Sequence, residues 1–268
     1  MISAIGCRYF RRAFGWCVPI GGLGGLIGLG GGEFRLPLLM YGIGFDARSA
    51  VPLNLLISLV TLAFALFVRS QTTSIVEVAP HFPEMAGLLA GGMVSAFFGA
   101  SLVSRLSTAR LVRLIAAFLG ALGLLMIAES FLPLQTGDLL TPEFGTHFVV
   151  GLVVGIGVGL VSSVLGVAGG ELLIPTLILV FGTDVKAAGS ASIMISLGVV
   201  VVGLLRYWRA GAIRIGGGPQ RIIIAMAAGS IVGATLGGLG VAYAPASFLK
   251  VFLGCVLLAA AWKTAFHK

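Results

Sequence analysis

"GLGGGEFRLP", residues 28–37, is answered 138 residues later by "GVAGGELLIP", residues 166–175. Each stretch opens on glycine and carries a glycine pair, Gly31–Gly32 or Gly169–Gly170. Each follows the pair with Glu33 or Glu171 and closes on Pro37 or Pro175. The same offset pairs Gly28 with Gly166, Gly44 with Gly182, Asp46 with Asp184 and Arg48 with Lys186. It also pairs Ser58 with Ser196, Gly91 with Gly229 and Gly99 with Gly237. A chain with 41 glycines yields some such pairs by chance, but not Gly, Pro, Asp and a basic residue in one register. The sequence is therefore read as a duplicated unit, with halves at 1–138 and 139–268.

Composition says what solvent the unit lives in. Hydrophobic residues make up 58% of the 268 and charged residues 10%, and mean hydropathy is +1.12. A water-facing domain carries roughly 25% charged residues. So poor a supply of charge cannot cover an aqueous surface, and lipid must take its place. The net charge of +8 does not point to nucleic acid, because the basic residues sit in short clusters between apolar runs, as in the loops of a membrane protein. Arg8, Arg11 and Arg12 ahead of an apolar stretch imitate a signal peptide. That stretch has no A-x-A-like cleavage site and is expected to be retained. Cys7, Cys17 and Cys255 lack metal-ligand spacing and read as unpaired, mostly buried thiols.

Apolar segments run at about 47–68, 85–104, 111–132, 185–205, 221–242 and 246–262, each near the ~20 residues that a helix needs to cross a bilayer. Segments 14–44 and 147–182 contain the glycine motifs. Both are too long for one span and are broken mid-way by the poorest helix former after proline, so each reads as two half-helices joined by an unwound turn. If every segment crossed once, Arg105, Arg110 and Arg113 would fall outside and the acidic 129–143 loop inside, against the positive-inside rule. If each broken segment instead dips in and returns, Arg8, Arg11, Arg12, Arg48, Arg105, Arg110, Arg113, Arg206, Arg209, Arg214, Arg221, Lys263 and Lys268 all become cytoplasmic. Only Arg69, Lys186 and Lys250 then lie outside. The expected fold is an all-α integral membrane protein of two inverted repeats. Each repeat is a Gly-broken re-entrant helical hairpin plus three transmembrane helices, and both termini are cytoplasmic. Inverted repeats of this kind mark secondary transporters, whose site lies where the repeats meet at the midplane.

Unwound backbone at that depth must be buried in protein or line a wet cavity. Glycine permits close approach, Pro37 and Pro175 suit a first turn, and a helix N-terminus offers free N–H groups and about half a positive charge. Two converging N-termini at Gly30, Gly31, Gly32, Gly169 and Gly170 would bind an anion without a metal. Scattered glycines such as Gly120, Gly151 and Gly254 read as close helix packing. Glu33, Arg35 and Glu171 lie near the tips, where an ionisable group costs at least ~2.5–3.5 kcal/mol. Arg35 is a candidate for the substrate's anionic head group and Glu33 or Glu171 for a carried proton. The alternative is an internal pair of Arg35 with either glutamate, or a glutamate that complements a helix N-terminus. Asn54 and Ser58 share a helix face, as do their counterparts Ser192 and Ser196, with Ser190 close by. These residues either donate to the substrate's oxygens or hydrogen-bond between helices. Asp46, Arg48, Asp184 and Lys186 read as caps and interfacial anchors.

The pairs "GLGGGEFRLPLL" with "DARSAVPLNLLIS" and "GVAGGELLIPTL" with "DVKAAGSASIMIS" resemble the TauE/SafE sulfite exporter family of membrane permeases, over nearly the whole chain. The resemblance implies transport of a small sulfur-containing anion, such as sulfite, thiosulfate, sulfoacetate or a related organosulfonate, across a prokaryotic cytoplasmic membrane. A proton or another coupling ion is left open. One departure is Arg35, a cation where the second half has Leu173.

No HExxH, no GxSxG and no histidine within an expected span supports an enzyme, and no cofactor or metal set is expected. His81, His147 and His267 read as loop or terminal residues that nothing pairs. The other open reading is an anion channel with the same tips as its filter.

Overall fold

The computed structural model describes residues 2–45, 47–72, 79–103, 117, 120–121, 123–124, 127–128, 130–131, 144–209, 211 and 218–266. Among them the chain is helical and contains no strand. The elements are α1 (Ile2–Ile27), α2 (Gly32–Pro37), a π-helical turn (Leu38–Ile43), α3 (Ala47–Thr72), a 3-10 turn (Ala79–His81), α4 (Phe82–Val103), α5 (Phe144–Leu165), α6 (Gly170–Leu179), α7 (Val185–Arg209), α8 (Gly218–Gly240) and α9 (Ala246–Phe266).

Among the described residues, four stretches are long and apolar enough to cross a membrane: Ser49–Gln71, Phe144–Ser162, Val185–Arg209 and Gln220–Gly240. Phe82–Phe98 and Ser247–Ala259 are shorter apolar helices, and the described positions of the expected 111–132 span are helical. Phe64, Phe67, Phe97, Phe98, Val153 and Leu236 are exposed. Large side chains displayed on these helices would aggregate a protein in water but suit contact with lipid. The chain is an integral membrane protein.

Both glycine-rich breaks lie where the sequence predicts them, but their arms are unequal. α1 is 26 residues and α5 22, each long enough to cross a bilayer alone, against 6 for α2 and 10 for α6. The first arm also starts at Ile2, not near residue 14, so Arg8, Arg11 and Arg12 are helical. Charge does not end a helix whose backbone can still propagate. Pro37 and Pro175 each occupy the sixth helical position of α2 and α6, past the first turn. Directly after Pro37 the chain widens into the π-helical turn, a typical response to an interrupted hydrogen-bond ladder.

Packing follows the 138-residue offset. α1 packs most extensively on α8, and its counterpart α5 on α4. α3 also packs on α8 as α7 does on α4, and α3 meets α7. Single residues obey the same rule: a Cβ at Gly91 would run into the carbonyl oxygen of Leu152, and one at Gly229 into that of Phe14, its counterpart at the same offset.

Candidate functional site at the meeting of two helix breaks

The two breaks touch. A Cβ built on Gly170 would lie 2.9 Å from the Leu29 Cα and 3.0 Å from the Gly28 carbonyl oxygen. One on Gly32 would lie 3.4 Å from the Val167 Cα. Asn54 of α3 fastens them together, its Nδ2 donating to the carbonyls of both Gly32 and Gly166 at 2.9 Å. Gly31 and Gly169, the residues before α2 and α6, are left-handed with φ of 70° and 79°, a conformation that costs glycine no steric strain. Gly32 and Gly170 are not among the glycines with positive φ, so what they need is the absence of a side chain.

Unwound carbonyls in an apolar interior require donors. Here side chains supply them. Ser192 donates to the Gly28 carbonyl at 3.3 Å, Arg35 to that of Gly30, Asn54 to that of Gly166 and Ser162 to that of Val167. Acceptors that would repel an anion at the junction are thereby engaged.

Arg35 sits at the centre, fully buried. Its Nη1 donates to the Thr61 hydroxyl at 2.6 Å and the Ser230 hydroxyl at 3.1 Å, and its Nη2 to Ser58 at 2.9 Å and to Gly30. These partners come from α3, α8 and the first break, and all are neutral. Ser196, the counterpart of Ser58, is also fully buried, and its hydroxyl has no hydrogen-bond partner; nor does Oδ1 of Asn54. Glu171 is buried in the first turn of α6. The side chain of Glu33 and all of Asp46 lie outside the described residues.

The structure thus gathers Gly30, Gly31, Gly32, Arg35, Asn54, Ser58, Gly169, Gly170, Ser192 and Ser196 around one junction. Ser190 belongs elsewhere. It accepts from Arg69 Nη1 at 3.1 Å, and Arg69 in turn donates to the carbonyls of Gly25 at 3.1 Å and Leu26 at 2.8 Å. Those carbonyls end α1 and have no helical partner beyond the break, so Arg69, itself 1% exposed, is the cap of α1. Asp184 accepts from the Lys186 backbone N–H at 2.9 Å, the capping role expected of it.

Sequence reasoning passed over Thr61 and Ser230, and it read Arg69 only as an external charge, not as a buried cap. Thr61 was within reach, since Asn54, Ser58 and Thr61 follow the spacing of one helix face. The offset pairs Ser230 with Gly92 and Arg69 with Tyr207, so the repeat gave no signal for either. His81 and His147, expected to be unpaired, instead share a carboxylate at Glu84. His147 is in the first turn of α5 and not in a loop. Among the described residues no group of three His, Cys, Asp or Glu could hold a metal ion.

Two broken helices meeting at a buried cation inside an apolar, multi-pass bundle define a membrane permease. The family model described as Sulfite exporter TauE/SafE matches residues 151–268, which contain the second break, α6 and α7. Over those residues, fewer than half of the 268, the chain is similar to that family, and the second copy of the motif lies within the match. No curated protein and no solved structure matches it.

Proposed function

We propose that the protein is a secondary transporter that moves a small sulfur-containing anion, sulfite, thiosulfate, sulfoacetate or a related organosulfonate, across the cytoplasmic membrane by alternating access, with no chemical step. The observation that carries this reading is Arg35, a wholly buried guanidinium where the two breaks meet, with hydroxyls of α3 and α8 around it. A planar fork of donors matches an oxyanion, and a cation at this depth costs too much to serve packing alone. The N-terminus of α6 adds its dipole from the other side, and the unpartnered Ser196 hydroxyl offers a further donor. Asn54 fastens the tips and keeps its donors for their carbonyls.

Alternating access is supported by the packing that repeats at the offset of 138, because two equivalent arrangements of a duplicated unit differ little in energy. The Lys/Arg distribution favours cytoplasmic termini and opposite orientations for the halves. The engaged carbonyls at the junction favour a carrier over a channel filter lined by bare backbone.

The test is flux into proteoliposomes with sulfite, thiosulfate, sulfoacetate, taurine and sulfate, with and without a pH gradient. Saturable, selective uptake of a sulfur oxyanion is expected. Unsaturable conduction at channel rates would favour the filter reading, and no flux of any of the five would reject both.

A further inference from the structure

Away from the junction, three titratable side chains meet from segments far apart in sequence. His81 closes the 3-10 turn, Glu84 lies in the first turn of α4 and His147 in the first turn of α5. Nδ1 of His81 is 2.7 Å from one oxygen of Glu84, and Nδ1 of His147 is 3.3 Å from the other. The loop that follows α6 completes the cluster. The Thr183 hydroxyl lies 3.3 Å from the same His81 nitrogen, and the Phe181 ring is centred 5.8 Å from that of His147. Glu84 is 2% exposed, His147 13% and His81 23%, so the carboxylate is sealed while one imidazole reaches the surface.

A sealed carboxylate is costly unless charge or donors face it. Imidazole is the side chain that gains and loses a proton between about pH 5 and 8. The cluster carries one negative charge with both imidazoles neutral, none with one proton added and one positive charge with two. The strength of the tie between α4, α5 and the loop behind α6 therefore depends on proton occupancy. Other charged groups on the adjoining loop and on α7 are engaged elsewhere: Asp184 with the Lys186 backbone N–H, and the Lys186 ammonium with the Ala242 carbonyl at 3.4 Å. The Lys/Arg topology puts 79–84, 147 and 183 on one face, the external one.

We propose that His81, Glu84 and His147 form a proton-binding site on the external face that couples the proton gradient to anion movement. The coupling rests on the transport reading above. A proton taken from external water onto an imidazole nitrogen pairs with the Glu84 carboxylate and ties α4, α5 and the loop behind α6 together. Its release lets them part. Since α6 ends in that loop and begins at the anion junction, proton occupancy at one end biases the position of the tip at the other.

Two measurements test this. The chain has three histidines, so ¹⁵N-histidine NMR in detergent can follow His81, His147 and His267 separately across pH. Linked transitions are expected for His81 and His147. The signals of both should change together in Glu84→Gln, and those of His267 should not. In proteoliposomes tested with sulfite, thiosulfate and sulfoacetate in parallel, Glu84→Gln and the double variant His81→Gln/His147→Gln should keep anion exchange at equal pH but lose accumulation driven by a pH gradient. Histidine transitions that ignore Glu84→Gln overturn the site. Accumulation by the double histidine variant at wild-type level overturns the coupling. Wild-type vesicles that carry none of the three anions would fail the transport reading and the coupling with it, while linked histidine transitions would still establish the proton site.

Discussion

Gly170→Ala adds one methyl group where the two breaks touch, and its effect can be worked from the geometry. The new carbon would lie 2.9 Å from the Leu29 Cα, 3.0 Å from the Gly28 oxygen and 3.1 Å from the Leu29 oxygen. Carbon atoms pack at about 3.5–4.0 Å, so the breaks must separate by roughly half an ångström or more. All three opposing atoms are backbone, which cannot swing aside as a side chain would. Overpacking of this kind costs about 1–3 kcal/mol. The separation also strains Asn54, whose single amide spans both breaks. Gly157→Ala is the control, since nothing lies within 4 Å of a Cβ there and alanine favours a helix over glycine by up to ~1 kcal/mol. Thermal melts in detergent and flux in proteoliposomes read the result. Gly170→Ala should melt several degrees lower and lose most transport, Gly170→Val should abolish it, and Gly157→Ala should match or exceed the wild type. A Gly170→Ala protein that melts and transports like the wild type would refute the claim that the breaks meet at this spacing.

Further expectations concern charge and topology. Arg35→Leu, which copies Leu173, should weaken anion binding roughly ten- to hundred-fold, the value of a charge-assisted hydrogen bond at ~1.5–3 kcal/mol, and Arg35→Lys should recover part of it; equal affinity in a binding titration would remove Arg35 from the site. Arg69→Leu should act on the fold and not on affinity, because it strips the cap from the Gly25 and Leu26 carbonyls. A melting temperature unchanged from the wild type would contradict that role. Moving the charge, Arg35→Leu with Leu173→Arg, should not restore uptake, since the counterparts of Thr61 and Ser230 are Val199 and Gly92 and only Ser196 matches Ser58. Cysteines introduced at Thr136 and Gly216 should label from opposite sides of the membrane, and labelling from the same side would defeat the inverted arrangement.

How much of this the sequence shows depends on the kind of force involved. Spans such as 185–209 are legible because lipid demands an apolar run of fixed length, and the breaks are legible because glycine clusters cannot propagate a helix. The length of α1 was not legible, since Arg8, Arg11 and Arg12 look like a boundary in hydropathy but cost a helix little in backbone terms. The π-helical turn after Pro37 has no counterpart signal, because the same proline in α6 leaves the helix to run on to Leu179. At the junction, backbone demands could be read from Gly31, Gly169 and Gly170, whereas the partners of Arg35 come from α3 and α8, and only α3 carries a local pattern. The tie between Glu84 and His147 crosses 63 residues, and apolar periodicity carries no record of it.

The distribution of charge then separates two things that the repeat had joined. Backbone features duplicate: left-handed Gly31 and Gly169, proline at the sixth position of α2 and α6, α1 on α8 and α5 on α4. Glu33 and Glu171 share the offset, but the buried charges of Arg35, Arg69 and Glu84 do not. Arg35 faces Leu173 across the offset, Arg69 faces Tyr207, and the carboxylate of Glu84 has Ile222 as its counterpart. On the alternating-access reading, a symmetric scaffold would make two access states nearly equal in energy. Symmetric charges, however, would put two guanidiniums at one junction, where their repulsion in a poorly screened interior would have to be offset by every ligand that enters. One arginine at the junction avoids that repulsion. A second buried arginine is spent on capping α1, and the titratable cluster stands at the far end of α6, where it can bias the tip without competing for the anion. On the proposed reading, the duplicated backbone would supply the motion, and the side chains that lack a counterpart in the other half would supply its direction and selectivity.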